Sequence, residues 1–353
     1  MENYKMPKSN RADTYKCEFL SLAALFSIKE DWEELQEGLD MTYFQSFNWY
    51  ELLSRNANKD TKRSFVRLAT VLKDGQVCLI APLLIITKNF RFVNKKGCYI
   101  WESRWSDYLN VIYKDYDPNA FDCLCQEVKK VFNISNFYFN KLQESTSIYK
   151  DLLTRKTLAF DKAQICVRLE LPSSFEDYWN SLGKKARQNI RTAKNRLIRN
   201  NLSFVVKNDD ANVDKLNCKG LRECRVRSKN KKLGLLTRAK ILIYSKLHVK
   251  EPTFLPLMED EEAHFLTSYI NGSLASFFNY TKSSKRKEVY MMGVGIDEQY
   301  SWYSPGILSV IEFIQSCYET EKIRYIDFTR GDEKYKFIVG GKTHYIHSLS
   351  FTY

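Results

Sequence analysis

The chain reads as an α/β protein, and three observations predict it. Residues 289–296 are apolar throughout, as a strand buried on both faces requires, and a turn, Trp302-Tyr303-Ser304-Pro305-Gly306-Ile307, leads from them into an amphipathic helix over residues 307–320. That helix is followed by a second strand ending in acids and bases, Tyr325-Ile326-Asp327-Phe328-Thr329-Arg330-Gly331-Asp332-Glu333-Lys334-Tyr335-Lys336. Upstream, residues 263–270, 274–281 and 289–296 are joined by Asn271-Gly272 and by a polar turn at 282–287, which predicts an antiparallel meander of three strands.

The first half alternates strands and helices. Residues 28–36 and 47–54 have helical patterning. Residues 65–71 and 76–87 read as a hairpin joined at Lys73-Asp74-Gly75-Gln76, because Asp-Gly suits a tight turn. Residues 91–109 are aromatic and irregular, with a strand near 98–101. Asp117-Pro118 breaks the chain, 121–132 reads as a helix, and 137–142 reads as a strand. In the second half, residues 166–171 form a strand stopped by Pro172. Ser173 or Ser174 then caps a helix with Glu176 and Asp177 in its first turn. Residues 183–201 read as a basic helix, 202–207 as a strand, and 213–228 and 237–249 as helices. A short helix at 334–339 and a final strand at 344–352 close the chain.

Composition narrows the classes. Hydrophobic residues make up 44% and aromatic residues 14%, enough for substantial cores and against disorder. The apolar run 77–86 contains Pro82 and is too short to span a membrane. Residues 1–13 are polar and lack the apolar core of a secretion signal. The nine cysteines lack a Cys-x-x-Cys pair with a matching partner, and scattered thiols suit a reducing cytoplasm. The four histidines form no metal signature, so no metal is expected and they read as structural or surface residues. A net charge of +13 favours an anionic partner or surface.

Candidate site residues follow from these elements. A helix N-terminus offers unpaired amides and partial positive charge, and Pro305 and Gly306 would let the backbone approach a phosphate. Gly293 and Gly295 weaken a central strand unless a ligand or another backbone comes close. Asp327 can serve as general base or hold a substrate amine, with Glu333 and Asp332 as other bases. Arg330 can pair with an anion, and Tyr335 can protonate a leaving thiolate. Lys184, Lys185, Arg187, Arg191, Lys194, Arg196 and Arg199 stand on one helix with no acid among them, which suggests phosphate contact. Trp101, Trp105, Asp107 and Tyr108 combine stacking rings with a carboxylate, which suits a sugar.

The order of elements in the second half is similar to the Gcn5-related N-acetyltransferase (GNAT) fold. Several segments together resemble its cellulose-biosynthesis type, related to the Fem peptidyltransferases. They are Phe44-Gln45-Ser46-Phe47-Asn48-Trp49, Ser106-Asp107-Tyr108, residues 175–191, Tyr303-Ser304-Pro305-Gly306 and residues 327–336. The resemblance implies two tandem GNAT-like halves, with mixed, mostly antiparallel sheets flanked by helices: residues 1–160, and residues 161–353 with the donor site. It implies a cytoplasmic N-acyltransferase that uses acetyl-CoA or another acyl-CoA and no metal. Met292, Gly293 and Val294 would hold the acyl-pantetheine, and Tyr303, Ser304, Pro305, Gly306 and Ile307 the pyrophosphate. Asp327, Glu333 and Tyr335 are the catalytic candidates. Asp107, Tyr108, Arg187, Arg191, Arg330, Asp332 and Lys336 are the substrate-binding candidates. The acceptor would be a small or sugar-linked amine of a polysaccharide precursor, with peripheral contact to an anionic membrane. The single glycine of the phosphate turn departs from the superfamily's glycine-rich loop. An aminoacyl-tRNA-dependent transferase of the Fem type and a non-catalytic nucleic-acid-binding protein are the alternatives.

Overall fold

The computed structural model describes residues 13–55, 57, 59–89, 95–103, 105–155, 158–231, 263–283, 285–320 and 322–353. Among the described residues, twelve strands form one mixed sheet. They are β1 (Tyr15–Ser21), β2 (Ser64–Lys73), β3 (Gln76–Ile86), β4 (Gly97–Ile100), β5 (Asn136–Gln143), β6 (Leu158–Glu170), β7 (Phe204–Lys207), β8 (His264–Ile270), β9 (Ser273–Ser283), β10 (Glu288–Ile296), β11 (Tyr325–Arg330) and β12 (Lys342–Thr352). Their order across the sheet is β1-β2-β3-β4-β5-β12-β6-β11-β10-β9-β8-β7. The flanking helices are α1 (Lys29–Leu35), α2 (Phe47–Arg55), α3 (Pro118–Phe132), α4 (Ser147–Thr154), α5 (Phe175–Ser181), α6 (Lys184–Arg199), α7 (Lys215–Lys231), α8 (Pro305–Glu319) and α9 (Lys334–Ile338).

The halves repeat one arrangement. In each, four antiparallel strands (β1 to β4, β7 to β10) are followed by a helix and then by a strand parallel to the fourth. The two intervening helices, α3 and α8, are 15 residues long and both begin at proline. The parallel strands β5 and β11 each carry a register shift against their next neighbour, near Lys141 and Thr329, and both residues have positive φ. The last strand of each repeat is exchanged: β6 pairs with β11 of the second half, and β12 pairs with β5 of the first. The two exchanged strands pair with each other along the middle of the sheet.

The local reasons match the sequence. Asp74-Gly75 and Asn271-Gly272 have positive φ at both positions, as the tight hairpin turns require. Pro305 sits in the first turn of α8, where a missing N–H costs nothing. Two expectations differ. β1 was not expected, because its alternating, half-buried face is short and weakly apolar. β6 begins well before residue 166, since the exchange gives its first half, of mixed polarity, a partner in β12. The helix expected at 237–249 lies outside the described residues.

The core falls into two layers across the sheet. Val289, Met291, Ile326 and Phe328 pack under α8 with Leu308, Ile311 and Ile314. Tyr290, on the other face of β10, packs with Phe44, Tyr108 and Cys166 in the layer that also fills the first half. The two halves are joined further by the turn before β10. Lys285 Nζ contacts Glu37 Oε2 at 2.9 Å, and Arg286 Nη1 donates to the carbonyls of Leu39 (2.7 Å) and Met41 (3.1 Å).

Candidate active site

β10 and β11 pair in parallel only from Glu288↔Tyr325 to Tyr290↔Asp327. Beyond that point they diverge, although β10 continues to Ile296 and β11 to Arg330. A register shift against β9 between Met291 and Gly293 helps turn β10 away. A cleft of about 180 Å³ occupies the gap. It passes from one face of the sheet to the other. Phe278, Met291, Phe328 and Tyr335 line it on the α8 side, Met292 lines it on the opposite side, and Thr329 lines it at the bulge of β11. Glu333, Arg330 and Arg222 also reach it. A second chamber of about 170 Å³, lined by Phe44, Trp105 and Asp107, shares Arg222, Met292, Thr329 and Arg330 with the first. The cleft therefore runs from the β11–α9 turn through the sheet to the first half.

The β11–α9 turn is held by Lys336. Its side chain is buried, and Nζ donates to the carbonyls of Thr329 (3.3 Å), Arg330 (2.8 Å) and Gly331 (3.1 Å) while contacting Glu333 Oε2 at 3.0 Å. Three backbone acceptors and a carboxylate satisfy the three donors of a buried ammonium and fix Glu333 at the cleft. Asp332 is exposed on this turn and is not among the residues lining the cleft. The residue preceding α9 is Glu333, whose side chain makes no capping bond.

Asp327 lies one layer deeper and is fully buried. Its Oδ1 accepts from the Tyr108 hydroxyl and from the Thr329 amide, each at 2.6 Å, and its Oδ2 lies 3.7 Å from His344 Nε2. Burial, followed by the nearby Glu288 carboxylate, pushes its pKa up to about 7. Burial likewise lowers that of His344 to about 4. The single hydroxyl proton of Tyr108 goes to Asp327, so its oxygen accepts from Nε2–H of a neutral His344 at 3.1 Å. Glu288 is buried too. It is paired with Arg286 (3.0 Å) and Arg168 (3.4 Å), and it accepts from the Tyr290 hydroxyl (2.7 Å). Asp107 is buried against Arg330 Nε. Burial raises its pKa, and Arg330 and Lys141 oppose the rise.

The structure thus brings Met292, Gly293, Val294, Arg330, Glu333, Tyr335, Lys336 and Asp107 to one continuous cleft, with Asp327 and Tyr108 beneath it. The other expected residues lie elsewhere. Tyr303, Ser304, Pro305, Gly306 and Ile307 form the mouth of α8 and do not line the cleft. There the amides of Ser304, Ile307 and Leu308 donate to protein carbonyls. A side chain at Gly306 would meet Ile296 at 3.2 Å, so this glycine lets α8 pack on β10. A Cβ at Gly295 would lie 2.3 Å from the Phe277 ring and 3.1 Å from Leu221, so close packing of the sheet and α7 accounts for that glycine without a ligand. Arg187 contacts Asn180 (3.4 Å), and the Arg191 guanidinium lies over Trp179 (5.8 Å). Both are on α6, away from the cleft lining.

Sequence reasoning missed His344, Glu288 and Arg222. Each reaches the site from a strand or helix whose own pattern is unremarked. An available signal was Glu288, an acid at the start of a strand that is otherwise apolar.

This geometry, a mixed sheet opened by divergence of two parallel strands and repeated in tandem, defines the acyl-CoA N-acyltransferase fold. Residues 251–337 match the family described as an acetyltransferase (GNAT) domain. Among solved structures, FemX superposes with a TM-score of 0.57 at 11% identity, over 95% of this chain and 96% of that one. A conserved protein of unknown function from Bacteroides thetaiotaomicron VPI-5482 superposes with a TM-score of 0.55 at 12% identity, over 96% of this chain and 100% of that one. No curated protein matches the chain. Among the described residues, no helix is long and apolar enough to cross a membrane.

Proposed function

We propose that the chain transfers an acyl group from acyl-CoA to an amine. The observation that carries this reading is the cleft through the sheet where β10 and β11 part. The acyl-pantetheine arm would lie along the open edge of Met292 to Val294, whose backbone amides would polarise the thioester carbonyl. The acceptor would enter from the Trp105 and Asp107 side, so that both reactants meet in the gap. The amine nitrogen attacks the carbonyl carbon and the C–S bond breaks. The Glu333 carboxylate takes the amine proton, directly or through water, and Tyr335 gives a proton to the thiolate. Lys336 keeps Glu333 in place. Asp327 is a positioning residue in this scheme, since it is closed off by Tyr108 and acts through the Thr329 backbone.

The pyrophosphate would bind near the mouth of α8, where Arg196 stacks on Trp302 and Asn200 donates to the Tyr303 hydroxyl. The acceptor is a small or sugar-linked amine of a polysaccharide precursor in the cytoplasm. The exposed basic face of α6 would lie against anionic lipid headgroups.

The test is a thermal shift with acetyl-CoA, desulfo-CoA and tRNA, paired with thiol release on added amines. Both coenzymes should raise the melting temperature by mass action. Glu333→Gln should keep that shift and lose about 10²- to 10⁴-fold in kcat. Stabilisation by tRNA alone, or by none of the three, would reject the proposal.

A further inference from the structure

We infer that Lys141 is a positioning residue for the acceptor: it holds the first-half wall of the second chamber in place against β11. The role of that wall rests on the transferase reading, whereas the anchoring stands on its own contacts.

The tandem repeat puts different side chains at one place. β5 and β11 each break register at a residue with positive φ, Lys141 in the first half and Thr329 in the second. Each stands just past the point where its strand leaves its parallel partner, β4 or β10. Thr329 lines the open cleft. Lys141 engages the chain that follows β4 instead. Its Nζ donates to the carbonyls of Ser103 (3.3 Å) and Ser106 (2.7 Å) and pairs with Glu102. Lys141 is 6% exposed, so these three acceptors stand in for water around the ammonium and fix it.

The partners of Lys141 belong to the wall. The same stretch of chain carries Trp105 and Asp107, which line the second chamber, and Tyr108, which bonds Asp327. Bonds within the stretch shape its turn: the Ser103 amide donates to Ser106 Oγ (3.1 Å), and the Trp105 amide to Ser103 Oγ (3.1 Å). Lys141 ties that turn to β5, and Trp49 Nε1, donating to Ser106 Oγ at 3.2 Å, ties it to α2. Across the chamber, Lys336 binds the carbonyls of Thr329, Arg330 and Gly331 in the same manner. Asp107 and Arg330 meet between the two lysine-bound segments. Without the Lys141 ammonium, two carbonyls and a carboxylate lose their donor, and Trp105 and Asp107 can shift relative to Arg330. Displacements well under 1 Å suffice to weaken a site of this kind. The donor edge, Met292 to Val294, lies on β10 in the other half, so the acceptor should suffer and the donor be spared.

The experiment uses the full chain with Lys141→Met, which keeps the apolar stem, Lys141→Arg, and Ser106→Ala. Hydrogen exchange is followed in peptides covering 105–112 and 325–338. Thiol release from saturating acetyl-CoA is measured with glucosamine, lysine and spermidine, and the melting shift given by acetyl-CoA is recorded for each variant. Lys141→Met should speed exchange in 105–112 by about tenfold or more and leave 325–338 within about twofold. For whichever amine the parent protein uses, its KM should rise about tenfold or more while kcat falls less than about threefold, the split expected for lost binding rather than lost chemistry. The acetyl-CoA shift should be retained, and Lys141→Arg should recover part of the KM. Should Lys141→Met not fold, Ser106→Ala, which loosens the same turn from within, should raise KM about threefold or more in the same pattern. Unchanged exchange in 105–112, an equal rise in both peptides, an unchanged KM, or a loss confined to kcat or donor binding would overturn the inference. Failure of acetyl-CoA to bind, or to be cleaved with any of the amines, would count against the transferase reading alone, and the exchange result would still decide whether Lys141 holds the wall.

Discussion

The Tyr108 hydroxyl donates to Asp327 Oδ1 over 2.6 Å, although 219 residues separate the two in the chain. Tyr108 comes from the irregular segment after β4 and Asp327 from the middle of β11, so the bond ties the first half to the strand that borders the cleft. Its position in the left-handed region, φ 52°, is held by the Gln45 side chain, which donates to the Tyr108 carbonyl.

Removing only the hydroxyl should therefore be costly. Tyr108→Phe leaves a buried carboxylate with one donor fewer and should lower unfolding free energy by about 1–3 kcal/mol. Urea denaturation checks it, and a change under about 0.5 kcal/mol would mean the bond contributes nothing net.

The pH profile of stability should be flat where it is ordinarily sloped. Asp327 has a folded pKa of about 7 against 3.8, so folding binds a proton there and its contribution falls as pH rises from about 4 to 7. His344 has a folded pKa of about 4 against 6.5, so its contribution rises with pH from about 4 to 6.5. The two slopes oppose each other between these limits. His344→Gln should leave a stability that declines toward pH 7, and Asp327→Asn one that climbs toward pH 6.5. Urea midpoints across pH 4–7.5 read both, and parallel profiles in the two variants would contradict the assignment.

Arg286 neutralises Glu288 at 3.0 Å in a site where the acid is 2% exposed. Arg286→Ala should cost about 3–5 kcal/mol, because it leaves a buried charge short of its nearest cation and releases the carbonyls of Leu39 and Met41. Arg286→Ala with Glu288→Gln should recover much of that loss. A double variant no more stable than the single one would show that the carbonyl contacts dominate.

Gly295 separates two explanations of a glycine in a central strand. Because a Cβ there would strike the Phe277 ring, Gly295→Val should destabilise the fold by about 1–3 kcal/mol through overpacking. The expected readout is a lower melting temperature in the unliganded protein. An unchanged melting temperature with weakened acetyl-CoA binding would restore the reading in which the glycine makes room for a ligand.

Much of the second half was legible because its signals are local. Asn271-Gly272, Pro305 and the apolar run of β10 each state their conformation within a few residues. The positions of Glu333 and Tyr335 at the cleft followed from the same strand–helix–strand order. What sequence could not give depends on pairing between distant segments. The aromatic-acid stretch around Asp107 suggested a sugar platform. The structure adds what the pattern could not show, that Tyr108 donates to Asp327 and Asp107 pairs with Arg330. His344 reads as an ordinary strand residue until β12 is known to lie beside β6, which brings it next to Asp327. Gly306 reads in sequence as an opening for a phosphate, and only the structure adds that the side chain it omits would have pointed at Ile296.

The crossed placement of β6 and β12 governs how the polypeptide can be divided. A break after Thr154 would give one piece whose β5 has a bare edge and another in which β12 overhangs its neighbours with nothing to cover. Each piece would display a row of unsatisfied amides that only its counterpart can hide. Made apart, such fragments would self-associate. Made together, they would find each other without a covalent link, so this protein is a natural candidate for a split reporter.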